Sequence, residues 1–148
     1  MTENAIDFND FEFVSTTADV DFTELAELLQ QSGLADFDAE TRQRAFEGSD
    51  IVLFVYLDDQ LVGCGRALSD GAYEAALYDV AVAPKLQGQG LGRAIVERIL
   101  SQLEGQNVIF FASVGKEPFY QKLGCTRMKT GMARFARPER MRARGYID

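Results

Sequence analysis

The sequence predicts a mixed α/β fold in which one domain, residues 1–148, is built around a single central sheet. The chain has 148 residues, 47% of them hydrophobic, which suffices for one core but not for two domains. Segments with strand-like composition are interspersed with segments of helical periodicity, and no repeat or Pro/Gly/Ser-rich linker interrupts them. The resulting order is β-α-α-β-β-β-α-β-α-β, with helices expected on both faces of the sheet.

The first three elements are a strand and two helices. Residues 11–17, FEFVSTT, alternate as a strand does. An apolar stripe that begins at Phe22 and stops at Gly33 predicts the first helix. The segment DAETRQRAFEGS predicts the second helix, with Asp38 as its N-terminal cap.

Three strands are predicted in the middle of the chain. Ile51–Leu57 and residues 61–68 are apolar and flank Asp-Asp-Gln, which indicates a hairpin. The segment AYEAALYDVAVAP then predicts a further strand that ends at Pro84. These three strands are expected to follow one another in the sheet.

The remaining elements place a helix between two parallel strands. Leu91, Ile95, Ile99 and Leu103 form a helical stripe, and NVIFFAS after it predicts a strand covered on both faces. Such a β-α-β unit makes its strands parallel with a right-handed crossover, and ligands bind at the carboxyl ends of these strands. KEPFYQKLG predicts a short helix, and TRMKTGMARF predicts a last strand.

Charge and composition exclude several functional classes. The net charge is −8, and the first 40 residues contain eleven Asp or Glu but no Lys or Arg. Residues 127–148 contain seven Lys or Arg against two acids, which we interpret as a solvated surface rather than a nucleic-acid site. With no histidine and only two cysteines, the composition predicts no metal site and reduced thiols.

Targeting signals are not apparent in the sequence. No apolar run approaches the roughly 20 residues that cross a membrane, and the acidic first residues do not resemble a signal peptide. We therefore expect a cytoplasmic protein with no membrane partner.

Three glycines lie just before or at the start of the long helix, in KLQGQGLGRAIV. The first N–H groups of a helix have no partner within it, and the helix dipole attracts anions to that end. Glycine lets a phosphate approach the backbone closely, so Gly88, Gly90 and Gly92 predict an anion site. The Walker and dinucleotide patterns do not fit, because Arg93 stands where either a lysine or a glycine would be needed.

The pattern Gln-x-x-Gly-x-Gly, at Gln87, Gly90 and Gly92, follows the strand LYDVAVAP. It resembles the acetyl-CoA pyrophosphate loop of the GCN5-related N-acetyltransferase (GNAT) family. EPFYQKLGC is similar to a second recurring segment of that family, in the same order and spacing. The resemblance is strongest from Ala75 to Cys125 and is closest to arylalkylamine N-acetyltransferases of the plant and cyanobacterial type.

The resemblance implies a GNAT fold with splayed, parallel fourth and fifth strands, and acetyl-CoA as cosubstrate. In that family the pantetheine arm lies between these strands and the pyrophosphate lies on the glycine loop. The residues implied to bind acetyl-CoA are Val80, Ala81, Val82, Gln87, Gly88, Gln89, Gly90, Leu91, Gly92, Arg93, Ser113 and Lys116, and Lys85 could add charge.

The resemblance also implies catalytic residues. Tyr120 matches the tyrosine that protonates the leaving thiolate in many relatives, although it could instead be a structural aromatic. Ala76 stands where relatives with a glutamate base carry it. Glu74 or Tyr78 could act through water, a bulge in the strand would bring Asp79 round instead, and an amine that arrives neutral needs no base.

The predicted function is therefore transfer of the acetyl group of acetyl-CoA to a primary amine. A small-molecule amine is favoured, with arylalkylamines among the candidates, and protein or peptide amines remain open. The alternative from another class is a degenerate module that binds acetyl-CoA without transferring the acetyl group. The sequence does not decide between a monomer and a homodimer.

Overall fold

The computed structural model describes residues 7–148, which form five strands and five α-helices. The strands are β1 (Phe11–Val14), β2 (Ile51–Leu57), β3 (Gln60–Ser69), β4 (Glu74–Val82) and β5 (Asn107–Ile109). The helices are α1 (Phe22–Gln31), α2 (Ala39–Glu47), α3 (Leu91–Ser101), α4 (Glu117–Gln121) and α5 (Pro138–Ala143). Short 3₁₀ turns cover Phe8–Asp10 and Pro84–Leu86.

The strands form one mixed sheet in the order β1-β2-β3-β4-β5. β1 to β4 are antiparallel to their neighbours, whereas β4 and β5, joined through α3, are parallel. The predicted mixed α/β fold and its β-α-β unit are therefore confirmed.

Helices cover both faces of the sheet, as predicted. On one face, a Cβ placed on Gly65 would lie 2.7 Å from Ile99 Cδ1, because α3 approaches β3 closely. On the other face, Phe46 of α2 packs against Phe54 of β2 with ring centroids 5.5 Å apart. The helices thereby bury the apolar stripes that the sequence predicts, including the stripe that contains Ile95.

The predicted β2–β3 hairpin closes through a two-residue turn. Leu57 pairs with Gln60, and the intervening Asp58 and Asp59 have φ values of 50° and 60°. Positive φ at both central residues is typical of the type I′ turn, whose twist matches that of the flanking strands.

A β-bulge interrupts β4 close to its carboxyl end. Cys64 pairs with Ala81 and Arg66 pairs with Tyr78, so two residues of β4 lie opposite Gly65. The extra residue, Asp79, has a φ of 55°. Because a bulge shifts the alternation of side chains, Tyr78 and Asp79 both lie on the face covered by α1 and α2.

The prediction for β5 is wrong in two respects. The strand covers three residues rather than all of NVIFFAS, and it lies at the edge of the sheet with Ile109 49% exposed. Its apolar sequence suggested burial on both faces. The strand is short because its pairing with β4 comprises three residues and ends at Ala76–Ile109.

The predicted last strand is also wrong. Residues 126–135 form no strand, a turn occurs at residues 129 and 130, and Met132 is 94% exposed. The apolar residues of this segment do not alternate regularly, and no neighbouring strand supplies hydrogen bonds to it. The first strand is also shorter than predicted, since β1 ends at Val14.

Helix α5, in the basic tail, was not predicted. Pro138 lies in its first turn, Glu139 also occupies that turn, and Arg140 and Arg142 lie in its last turn. This order of proline and charges favours a helix, but the short segment lacks an apolar stripe.

The chain divides into two compact units, Met1–Phe110, of which residues 7–110 are described, and Phe111–Asp148. In the second unit, the Phe111 ring packs edge-on against Phe135 and Tyr146, with centroids 5.7 and 5.5 Å away. That residues 1–148 form a single domain stays a prediction. Over the described residues, no helix is both long and apolar enough to span a membrane.

Candidate functional site

The glycine loop between β4 and α3 is exposed and adopts a backbone conformation that requires glycine. Gly88 and Gly90 have φ values of 78° and 93°, and Gly90 is the N-terminal cap of α3. Other L-residues rarely adopt this conformation. Within the part of the chain that the structure describes, no side chain caps the helix, and the residues before it, Gly88 to Gly90, are exposed.

The backbone N–H groups of this loop point to an anion site. Among the described residues, the six N–H groups from Gly88 to Arg93 donate to no protein acceptor, and the helical hydrogen bonds begin with Ala94 N–H to Gly90 O (3.1 Å). N–H groups in this position, together with the positive end of the helix dipole, suit a phosphate group. The geometry therefore fits the predicted pyrophosphate loop.

Gln87 attaches the loop to the end of β4. Its side-chain Nε2 donates to the backbone carbonyl of Val82 at 3.0 Å. The glutamine of the motif thus fixes where the loop leaves the strand. Of the nearby charges, Arg93 already forms an ion pair with Glu97 (2.8 Å), whereas Lys85 is exposed.

The carboxyl half of β4 has an edge that β5 does not cover. Parallel pairing joins Glu74, Ala75 and Ala76 to β5, and β4 then continues to Val82 without β5. The three residues predicted to contact pantetheine, Val80, Ala81 and Val82, lie on this part of the strand. Val80 is partly exposed, and the next two are buried.

The two candidate bases of β4 lie at different distances from this edge. Glu74 begins the strand, and its Oε1 accepts a hydrogen bond from Asn107 Nδ2 at 3.0 Å. Six extended residues, about 20 Å, separate it from Val80. Tyr78 lies next to the bulge and is partly buried, with the Arg66 guanidinium 5.0 Å from its ring centroid. Of the two, only Tyr78 lies near the open part of β4.

Asp79 is turned inward by the bulge and forms ion pairs with two arginines. Arg42 Nη1 lies 3.3 Å from Asp79 Oδ1, and Arg66 Nε lies 2.7 Å from Asp79 Oδ2. The alternative in which a bulge brings Asp79 round is therefore the one that the structure adopts. Its two carboxylate oxygens, however, are each already paired with a guanidinium group, so neither oxygen is left without a partner to accept a proton from the amine.

Two residues of this cluster, Arg42 and Arg66, were not predicted from the sequence. Arg42 is 4% exposed and belongs to a helix whose sequence is mainly polar, so its burial has no clear signature. Arg66 could have been found from the sequence, because it is the one charged residue in the apolar strand LVGCGRAL. A charge in a buried strand needs an opposite charge, and Asp79 lies in the neighbouring strand.

The second unit contains the other predicted residues. Ser113 and Lys116 lie in the turn before α4, where Lys116 N–H donates to Ser113 O at 2.9 Å. Tyr120 lies within α4 and packs edge-on against Phe119 with centroids 4.9 Å apart. Burial, followed by the charge of Cys125, raises the pKa of Tyr120 to about 12. Tyr120 is therefore a neutral hydrogen-bond donor at physiological pH.

Both cysteines are free, as predicted. Burial raises the pKa of Cys64, with the Asp79 carboxylate as a smaller cause, so this thiol stays protonated. Cys64 Sγ lies 3.3 Å from the backbone carbonyl of Asp79, to which it donates.

Comparison with known proteins agrees with this geometry. The model of the acetyltransferase (GNAT) family matches residues 18–125. The chain is 28% identical over 138 residues to the uncharacterized N-acetyltransferase ycf52 of Pyropia yezoensis, covering 88% of this chain and 79% of that protein. It is 34% identical over 115 residues to the chloroplastic serotonin N-acetyltransferase 2 of Oryza sativa, covering 71% of this chain and 56% of that protein.

Solved structures show the same fold. A GNAT family acetyltransferase of Streptococcus pneumoniae superimposes with a TM-score of 0.71 at 20% identity, covering 86% of this chain and 98% of that one. The glucosamine-6-phosphate N-acetyltransferase of Arabidopsis thaliana gives a TM-score of 0.62 at 19% identity, with coverages of 86% and 99%. The family match over most of the chain, the shared fold and the glycine loop at the start of α3 establish that this chain belongs to the GNAT family of N-acetyltransferases.

Proposed function

We propose that this chain transfers the acetyl group of acetyl-CoA to a primary amine on a small molecule. The observation that carries the proposal is the row of N–H groups from Gly88 to Arg93 at the start of α3, which have no protein acceptor among residues 7–148. These groups suit the pyrophosphate of coenzyme A. Beyond its pairing with β5, β4 continues through Val80, Ala81 and Val82, and this edge suits the amide groups of the pantetheine arm, as an added strand would.

Acetyl-CoA supplies an activated acetyl group, and the chain must stabilise the negative charge that develops on the thioester oxygen. We assign this to the backbone N–H of Val80, next to the bulge of β4. A fixed backbone donor in such a position contributes about 10²- to 10³-fold to the rate. Tyr120, neutral because burial raises its pKa to about 12, would donate a hydrogen bond to the departing sulfur.

The amine must lose its proton before it attacks. The Asp79 carboxylate is held by two arginines, Glu74 lies at the far end of β4, and Ala76 has no ionisable group. We therefore propose that the amine arrives neutral, or that Tyr78 relays its proton through water. In either case turnover depends on the fraction of the amine that is neutral, which rises with pH.

An apolar amine is the class that we favour. In the α1–α2 connection Phe37 is 45% exposed, between the exposed acidic residues Asp36 and Asp38. An aromatic ring among carboxylates suits an amine that carries apolar bulk. The 34% identity to a protein named serotonin N-acetyltransferase 2 supports an arylalkylamine as the first substrate to test.

The test of the cosubstrate site is a change at Gly90 with a matched glycine as control. Gly90→Asp adds a side chain and a negative charge where φ is 93°, and should abolish acetyl-CoA binding. Gly105→Asp makes the same change where φ is 83° and should leave binding intact. Calorimetry with acetyl-CoA measures both, and unchanged affinity in folded Gly90→Asp protein contradicts the site.

The second candidate function is an acetyl-CoA-binding module without transfer. Ala76 in place of a glutamate base, together with the ion pairs of Asp79, favours it. A panel of arylalkylamines, polyamines, aminoglycosides and peptide amines, assayed for release of the free thiol against a control without amine, separates the two. Release that depends on amine supports the enzyme, whereas tight acetyl-CoA binding without release supports the module.

A further inference from the structure

The bulge of β4 is held through a single residue, Asp79. Its φ of 55° is uncommon for a residue other than glycine, so the surrounding contacts must maintain it. The carboxylate accepts from Arg42 on one oxygen and from Arg66 on the other, at 3.3 and 2.7 Å. One guanidinium group comes from a helix and the other from the adjacent strand, so the side chain is fixed from two directions.

The backbone of Asp79 is held as well. Its carbonyl accepts a hydrogen bond from the Cys64 thiol at 3.3 Å, and burial keeps that thiol protonated. The peptide bond that follows is trans, so its C=O and the N–H of Val80 point in opposite directions. Fixing the carbonyl of Asp79 against Cys64 therefore directs the Val80 N–H away from the thiol.

We propose that Arg42 and Arg66 are positioning residues that act through Asp79 to orient the backbone N–H of Val80 toward the thioester oxygen. The inference rests on the proposed acetyl transfer. The two arginines touch neither the cosubstrate nor the amine in this scheme. They hold the carboxylate, the carboxylate holds the bulge, and the bulge sets the direction of the donor.

We call the cluster of Asp79, Arg42 and Arg66 the clamp. Each of its arginines makes further contacts with the first unit. Arg66 Nη1 donates to Ser49 Oγ at 3.3 Å, and its guanidinium lies 5.7 Å from the Phe46 ring centroid. Arg42 Nη2 donates to the carbonyl of Ala35, and its guanidinium lies 5.1 Å from the ring centroid of Phe37. Arg42 therefore contacts both the bulge and the segment between α1 and α2, where we place the amine.

The first experiment observes the Val80 N–H directly. The protein is labelled with ¹⁵N-valine, the Val80 signal is assigned with Val80→Ile, and acetyl-CoA is compared with free CoA. In wild type, acetyl-CoA should move the chemical shift of the Val80 amide proton further downfield than free CoA does, because the acetyl carbonyl accepts from this N–H. We call the difference between the two ligands the additional shift. Arg66→Met, which leaves the pair of Arg42 with Asp79 in place, should abolish this additional shift.

Two further variants control the experiment. Arg44→Met removes an exposed arginine from the same helix as Arg42 and should leave the additional shift unchanged. Arg66→Lys keeps a cation but lacks the planar donor group, and should recover part of the shift. If Arg66→Met retains the full additional shift, or wild type shows none, the positioning role is wrong.

The second experiment measures turnover. Arg66→Met should lower kcat by about 10- to 100-fold, less than complete loss of an oxyanion donor. Its KM for the amine and its affinity for acetyl-CoA should stay within about threefold of wild type, because the hydrogen bond to the thioester oxygen is weak in the ground state and strengthens as charge develops in the transition state. Asp79→Gly permits the same φ without a carboxylate and should show the same loss. Wild-type kcat in folded Arg66→Met contradicts the proposal, even if Asp79→Gly fails to fold.

The two experiments together separate this inference from the proposed function. A protein that acetylates no amine but shows the additional Val80 shift, sensitive to Arg66→Met, contradicts the transferase and supports the clamp. An enzyme that acetylates amines while its Val80 signal and kcat survive Arg66→Met contradicts the clamp alone.

Discussion

Tyr120 shows how a single residue can be neutral and still limited as an acid. Burial raises its pKa to about 12, further above the roughly 8.5 of a thiol than a free phenol would be. Complete proton transfer to the departing sulfur is therefore uphill. Tyr120 acts better as a hydrogen-bond donor, while the proton that the amine releases finally neutralises the thiolate.

The pH dependence of turnover tests this role. A donor with a pKa of about 12 stays protonated throughout the usual range, so kcat should show no decline between about pH 8 and pH 10. Over the same range kcat/KM should rise as the amine loses its proton. Tyr120→Phe removes one hydrogen bond to a charged acceptor, worth about 1.5–3 kcal/mol, and should lower the plateau about 10- to 100-fold without changing the affinity for acetyl-CoA.

The outcome that contradicts this role is a kcat of Tyr120→Phe close to that of wild type, with the chemical step shown to limit the rate.

The stability of the fold sets the upper pH limit of the assay, which should stay below about pH 10. Because the pKa is raised on folding, the unfolded phenol loses its proton first, and stability falls as pH rises from the unfolded value toward about 12.

At the scale of elements, the β2–β3 turn has two aspartates where a type I′ turn favours Asn-Gly. Asp58 and Asp59 both have positive φ, a conformation that only glycine adopts without a cost in free energy. Replacing them by Asn-Gly should raise the free energy of unfolding by about 1 kcal/mol. The thermal midpoint should then rise by about 2–4 °C. Thermal denaturation measures this change.

The control for the turn is Asn at both positions, which removes the same two charges without adding glycine. It should stabilise the protein less than Asn-Gly does. Equal midpoints for the two variants would show that the effect is electrostatic and that the turn conformation is not the cause.

At the scale of the whole molecule, the net charge of −8 affects the two substrates differently. The field repels acetyl-CoA at a distance, yet the backbone donors of the glycine loop act at contact, where screening is weak. A cationic amine is attracted instead. Because the Debye length falls from about 10 Å at 0.1 M salt to about 3 Å at 1 M, salt should reduce this attraction.

Salt should therefore lower kcat/KM for an amine that is protonated at the assay pH and leave it nearly unchanged for an aromatic amine that is neutral there. Steady-state rates over that salt range, at saturating acetyl-CoA, measure both. A parallel fall for the two amines would assign the effect to the cosubstrate site.

The sequence by itself determined the elements whose periodicity is strong and whose chemistry is local. The helical stripe of α3, the cap at Asp38 and the position of the three glycines at the start of α3 are confirmed, because each depends on residues within one or two turns of each other. The parallel pairing of β4 and β5 also followed from the crossover that joins them.

Only the tertiary structure decided where strands end and which charges meet. The apolar run that begins at Asn107 forms three residues of strand at an edge, since the length of a strand depends on how many residues its neighbour pairs with. Asp79 turns inward because a bulge reverses the local alternation, and Arg42 and Arg66 reach it from positions 37 and 13 residues away. Such contacts depend on register and packing between distant segments, which local sequence patterns do not specify.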